Sequence, residues 1–172
     1  TTGVGKGVVI ARDTPNFIAN RIGVFSMLAT MHHTAQFGLG FDVVDALTGP
    51  AIGHPKSATY RTADVVGLDT MAHVIKTMAD TLPDDPWHAH FKVPAWLSAL
   101  IEKGALGQKT GAGFYRKAGK DIVVLDVAKK DYVPTSPQAS EEVATILAIK
   151  DPAEKFARLR ASQDPQAQFL WA

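Results

Sequence analysis

The residues best suited to chemistry lie in two short stretches. In the first, Asp13 to Ile22, a polar Asn20 stands about one turn inside a predicted helix whose other residues are mostly apolar, with Arg21 beside it. Asparagine is a weak helix former because its amide competes for backbone groups. At such a position it either bonds a nearby loop carbonyl or is presented to a ligand, and the residue types leave both readings open. In the second stretch, Leu106 to Tyr115, the string LGQKTGAGFY sets glycines and a threonine ahead of a predicted strand, with Lys109 at the tip. Glycines there let the backbone approach something closely, either another chain segment or a ligand.

Other candidates fail on context. Gly3-Val4-Gly5-Lys6-Gly7 leads into a predicted strand, whereas a dinucleotide loop leaves a strand and opens a helix. Gly104 to Thr110 approaches a phosphate loop but has Gln108 where glycine must precede the lysine. Among the six histidines, the close pairs are His32-His33 and His88-Ala89-His90. Adjacent helical residues point about a hundred degrees apart and no glutamate lies between them, so all six read as surface or core histidines. Ser26, Ser57, Ser98, Ser136, Ser140 and Ser162 lack the Gly-x-Ser-x-Gly turn that exposes a nucleophile.

Composition narrows the classes further. The 172 residues are 46% hydrophobic and 20% charged, with 18 basic against 17 acidic side chains, the profile of a globular protein. A formal net charge of +1 gives no broad attraction to polyphosphate, so no nucleic-acid partner is expected. No apolar run approaches the ~20 residues of a membrane span, and Thr1 to Lys6 lacks the order of a signal peptide. With no cysteine the chain suits a reducing compartment, and a cytoplasmic location is expected.

The elements that must position these residues follow from periodicity and caps. Gly3 to Ala11, with Val8, Val9 and Ile10, reads as a short buried strand. Asp13-Thr14-Pro15 supplies a capping side chain and a proline at the first helical position. The helix it opens carries Phe17, Ile18, Ile22, Phe25, Leu28, Met31 and Ala35 at steps of three and four, and ends near Gly38. Further helices are predicted over Asp42 to Leu47, about Ala58 to Val66, Thr70 to Thr81 with Asp69 as cap, and from Pro94 to Lys103. Gly49 to Ser57 holds too many breakers for regular structure. Beyond Gly113 the period becomes two, giving a hairpin with a turn at Ala118-Gly119-Lys120. Helices resume after Ser136, with Asp151-Pro152 and Asp164-Pro165 opening the last two. The large apolar groups Phe169, Leu170 and Trp171 suggest a helix cut short or docked on a partner.

Asp13-Thr14-Pro15-Asn16-Phe17-Ile18-Ala19-Asn20-Arg21, the block Gly53-His54-Pro55 with Asp64 and Gly67-Leu68-Asp69, and LGQKTGAGFY, in that order, resemble three motifs of one family. It is the C-terminal helical domain of the 3-hydroxyacyl-CoA dehydrogenases, and the likeness covers roughly residues 3 to 118. The remainder is more loosely similar to the bacterial long forms, which carry a second, degenerate helical repeat. The resemblance implies an all-α fold like the C-terminal domain of 6-phosphogluconate dehydrogenase, with a small β-hairpin appendage and the Rossmann domain absent. Residues 1–12 would be a remnant of the last Rossmann strand and linker, 13–118 the family's helical domain, and 119–172 the hairpin and the start of a second repeat.

The same resemblance implies roles. Asn20 would be the catalytic and substrate-binding amide, donating to the substrate carbonyl beside a histidine base supplied by the Rossmann domain. Lys56 and Ser57 would line the acyl channel, where relatives carry Met-Gly-Pro in place of Lys56-Ser57-Ala58. Lys109 would reach the phosphates or ribose of NAD, which the upstream Rossmann domain mainly binds. The implied partners are 3-hydroxyacyl-CoA, that domain and a second copy in a homodimer. The alternative is a noncatalytic helical module that dimerises or holds acyl-CoA without chemistry.

Overall fold

The computed structural model describes Gly3, Gly5 and residues 7–172, so Val4 and Lys6 of the predicted first strand lie outside the described residues. Val8, Val9 and Ile10 form no strand and are 67%, 78% and 96% exposed. The expectation of a buried strand fails because a strand needs a ladder, and among the described residues none pairs with this segment.

Helix α1 (Phe17–Phe37) starts two residues later than Asp13-Thr14-Pro15 predicts. Asn16 takes a left-handed conformation at φ 66°, and the Phe17 N–H turns back onto the Thr14 carbonyl at 3.4 Å. The Asp13 signal is overridden by this tight turn, for which asparagine is one of the few suitable residues. The other end follows the sequence: Gly38 at φ 63° and Leu39 send their N–H groups to Ala35 and Thr34, the double bond of a glycine-terminated helix. The predicted apolar face is only partly used. Val24, Leu28, Met31 and Thr34 are buried, while Phe17, Ile18 and Ile22 in the first turns are exposed.

Next come α2 (Phe41–Leu47), a 3-10 turn over Pro50–Ile52, α3 (Tyr60–Val66), α4 (Leu68–Thr81) and α5 (Ala95–Glu102). Asp69 falls within the first turn of α4, with Gly67 rather than Asp69 in the cap position. There its charge still complements the helix dipole. The hairpin gains a third strand: β1 (Tyr115–Ala118), β2 (Asp121–Asp126) and β3 (Asp131–Pro134) form an antiparallel sheet in that order, with Tyr115 opposite Val124 and Val124 opposite Val133. β3 escapes the sequence pattern because it is short, ends in proline and has only an edge to fill. The sheet joins residues on both sides of position 118.

Helices α6 (Glu141–Ala148), α7 (Pro152–Ala161) and α8 (Pro165–Trp171) are capped by Ser140, Asp151 and Asp164, whose side chains accept from Val143, Glu154 and Gln166 N–H groups. Both predicted prolines stand in the first turn. α8 packs on α7 and on α1 of the same chain, burying Phe169. The core is keyed by an aromatic cluster: Phe41, Tyr60 and Phe114 meet with ring centroids 4.4–4.9 Å apart, and Trp96 closes on Phe41 and Phe114 at 5.5 and 5.4 Å.

Candidate functional site

The LGQKTGAGFY segment folds into a looped clasp around Asp64. Its carboxylate accepts the Phe114 N–H at 2.8 Å and the Tyr115 N–H at 2.9 Å. Gly107 N–H meets the Ala112 carbonyl at 2.7 Å, doubling the loop on itself, and Thr110 Oγ1 accepts the Leu106 N–H at 2.8 Å. A Cβ on Gly107 would collide with the Asp64 backbone, and one on Gly113 with the Asp64 carboxylate. Of the two readings the sequence left open, close approach to another chain segment therefore accounts for these two glycines. Gly111 has open space around it but sits at φ 75°, so its role is conformational.

Burial pushes the Asp64 carboxyl up to about 6, against the two backbone N–H groups that pull it down. A second buried carboxylate, Asp45 on α2, accepts N–H groups of Thr59, Tyr60 and Arg61 at 3.0, 2.7 and 3.1 Å, and the Tyr115 hydroxyl at 2.7 Å. It caps the start of α3 from a distance in sequence. Burial raises its carboxyl and also pushes the Tyr115 hydroxyl up. The Arg61 guanidinium carbon lies over the Tyr115 ring, 4.2 Å from its centroid. Sequence reasoning missed Asp45. The available signal was an acid between Val44 and Ala46 in a helix whose neighbours are core residues.

The residues singled out for chemistry are distributed over several elements. Asn20 is exposed on α1 and its side chain makes no hydrogen bond among the described residues, so no loop carbonyl engages it. Exposed Phe17 lies three residues before it, whereas exposed Ile18 and Ile22 turn to the opposite side of the helix. Arg21 reaches across to Asp85 at 3.6 Å, tying this end of α1 to the loop after α4. Lys109 donates to both oxygens of Asp69 at 2.6 and 2.7 Å, which holds the Asp69 carboxyl below the ordinary value. Together with the Leu68 N–H on the Leu106 carbonyl at 3.1 Å, it fastens the loop to the head of α4. Lys56 is exposed; Ser57 is half-buried and accepts the Thr62 hydroxyl at 2.9 Å. His54 bonds the Thr48 carbonyl at 3.1 Å and so shapes the loop before α3. Among the described residues, no hydrogen bond or ion pair links Asn20, Lys56, Ser57 or Lys109 to another of the four.

These features define a helical domain with an appended sheet, whose three sequence motifs build one clasp and one bare helix end. Over residues 17–117 the chain matches the family described as 3-hydroxyacyl-CoA dehydrogenase, C-terminal domain, and it belongs to that family. A probable 3-hydroxyacyl-CoA dehydrogenase of Bacillus subtilis is 43% identical over 168 residues, covering 98% of this chain and 21% of the relative. A protein of the same description from Deinococcus radiodurans is 46% identical over 114 residues, covering 66% of this chain and 32% of the relative. The chain thus spans about a fifth to a third of the length of these relatives. The crystal structure of FadB2 from M. tuberculosis superposes with a TM-score of 0.56 at 33% identity, over 68% of this chain and 39% of that one.

Proposed function

We propose that this chain is the substrate-binding helical domain of an NAD-dependent 3-hydroxyacyl-CoA dehydrogenase, acting in fatty acid β-oxidation with a dinucleotide-binding domain outside these 172 residues. The observation that carries the reading is the head of α1. There, at the start of the family match, an exposed amide with no hydrogen bond among the described residues stands three residues after exposed Phe17, with exposed Ile18 and Ile22 on the other side of the same helix. A helix end that exposes large apolar groups on both sides is surface for another polypeptide to cover, and the amide there becomes a positioned donor when water leaves.

Asn20 donates an N–H to the oxygen on C3 of the substrate and orients it. An amide suits that duty because it does not titrate and does not compete for the proton that the base removes. Lys56 and Ser57 border the acyl chain. NAD, when bound, takes the hydride. From this chain Lys109 is directed to NAD, and with two of its three N–H groups spent on Asp69 it has one left for a phosphate or ribose oxygen. That single donor fits a peripheral contact, with the main binding made by the other domain. A second copy covers further apolar helix surface in a homodimer, and the protein is cytoplasmic.

The test is NADH formation from 3-hydroxybutyryl-CoA, followed at 340 nm. The protein comprising this chain and its dinucleotide-binding domain turns over, and the 172-residue chain alone does not. NADH formation by the chain alone overturns the division of labour. No oxidation by the joined protein favours the noncatalytic module.

A further inference from the structure

A groove of about 670 Å³ lies between α3, the LGQKTGAGFY clasp and β1, and none of Asn20, Lys56, Ser57 and Lys109 lines it. Arg61, Arg116, Lys117 and Lys120 line it, and among the described residues none of these four cations takes part in an ion pair. By contrast Lys76, Lys109 and Lys129 each have a carboxylate partner. The acidic group in the groove is Asp64, whose carboxylate is buried with an oxygen held by each of the Phe114 and Tyr115 N–H groups. Asp121, at the end of the β1–β2 turn, is exposed and makes no ion pair among the described residues.

Both guanidiniums sit over tyrosine rings, and among the described residues neither makes a side-chain hydrogen bond. Arg61 lies over Tyr115 and Arg116 over Tyr132, each at 4.2 Å from the ring centroid. A guanidinium anchored over a ring keeps its N–H groups unspent and its position restricted, which lets it receive a phosphate with less further ordering. The walls are not wholly polar: Val65 and Ile122 are 65% and 45% exposed and offer apolar surface to a flat base. The volume is far greater than one phosphate fills and is in the range of small-molecule sites.

We propose that this groove binds the phosphates of a nucleoside diphosphate, with the base against Val65 and Ile122. An adenosine diphosphate unit occurs both in CoA thioesters and in NAD, so the choice between these two sources rests on the function proposed above, whereas the groove itself does not. The test is calorimetric titration of the 172-residue chain with ADP at low salt, where exposed cations are least screened. One saturable site is expected, weakened at least tenfold by Arg116→Gln combined with Lys120→Gln and unchanged by Lys76→Gln, whose lysine is paired elsewhere. Unfolding by urea shows whether the double variant is folded; if it is not, amide shifts on adding ADP to the parent chain decide. Shifts confined to residues 61–65 and 108–122 support the groove, and shifts elsewhere overturn it. No saturable binding, or binding indifferent to the double variant, also overturns it. CoA tighter than NAD assigns the groove to the thioester, and the reverse to the dinucleotide. ADP binding without dehydrogenase activity in the joined protein removes the enzyme reading and leaves the groove standing. Activity without ADP binding does the opposite.

Discussion

Replacing Gly107 by alanine separates two costs that the clasp imposes, when Gly111→Ala is measured beside it. Gly107 lies at φ 99°, ψ −152°, a region essentially closed to residues with a Cβ, and an added methyl would meet the Asp64 backbone. The first effect costs about 1–3 kcal/mol. The second displaces backbone rather than a flexible side chain and costs a further ~1–3 kcal/mol. Gly111 at φ 75°, ψ 1° has nothing within 4 Å of the added atom, so it carries only left-handed strain of about 1–2 kcal/mol. Urea unfolding of the two variants, followed by far-UV circular dichroism, should place Gly107→Ala well below Gly111→Ala in midpoint at equal slope. Because Asp64 also anchors Phe114 in the aromatic cluster, the Gly107 variant should in addition change the near-UV signal. Equal losses in the two variants would refute the claim that close packing on Asp64, rather than turn conformation, requires the first glycine.

Three further outcomes follow from the same contacts. The Asp64 carboxyl is raised in the folded chain from 3.8 to about 6, so the folded state holds its proton more tightly. Its stabilising contribution is complete below pH 4 and is lost as pH rises through 6, by about 3 kcal/mol at 1.36 kcal/mol per unit. The stability of the parent minus that of Asp64→Asn should therefore fall between pH 4 and 7, and a rise in that signed difference would show that the two N–H bonds outweigh burial. Tyr115→Phe deprives buried Asp45 of a donor and should cost about 1.5–3 kcal/mol in denaturant titration. Tyr60→Phe, which removes a buried hydroxyl that faces Thr34 without a well-formed hydrogen bond, should cost less than about 1 kcal/mol. A large loss there would show that the hydroxyl is bonded after all.

Much of the framework was legible because it is written in local chemistry. Gly38 ends α1, Gly49-Pro50 ends α2, and the Asp-Pro pairs at 151 and 164 open α7 and α8, each by a rule that involves neighbours in sequence. What could not be read involves partners far along the chain. Asp45 reaches α3 and Tyr115, a separation of 70 residues in the second case, and no local pattern announces such a bond. Val8 to Ile10 have the composition of a buried strand, but composition does not supply a neighbour. Asp13 loses its cap to a left-handed Asn16, a competition between two local signals of similar strength. For the candidate site, the glycines, Lys109 and Asn20 stood out by residue type. That Gly107 and Gly113 serve Asp64, and that Lys109 is spent on Asp69, became visible only once the loop was folded.

The role proposed for Asn20 places the bare amide of α1 on the substrate oxygen, in a cleft completed by a dinucleotide-binding domain outside these 172 residues. It is tested most directly by Asn20→Ala in the protein that joins this chain to its dinucleotide-binding domain, with kcat/KM for 3-hydroxybutyryl-CoA measured at constant NAD. Losing a hydrogen bond to developing charge, worth about 1.5–3 kcal/mol, should lower kcat/KM roughly 10- to 150-fold. Folding should be unaffected, since Asn20 is exposed and unbonded. A variant with full kcat/KM would remove Asn20 from the reaction.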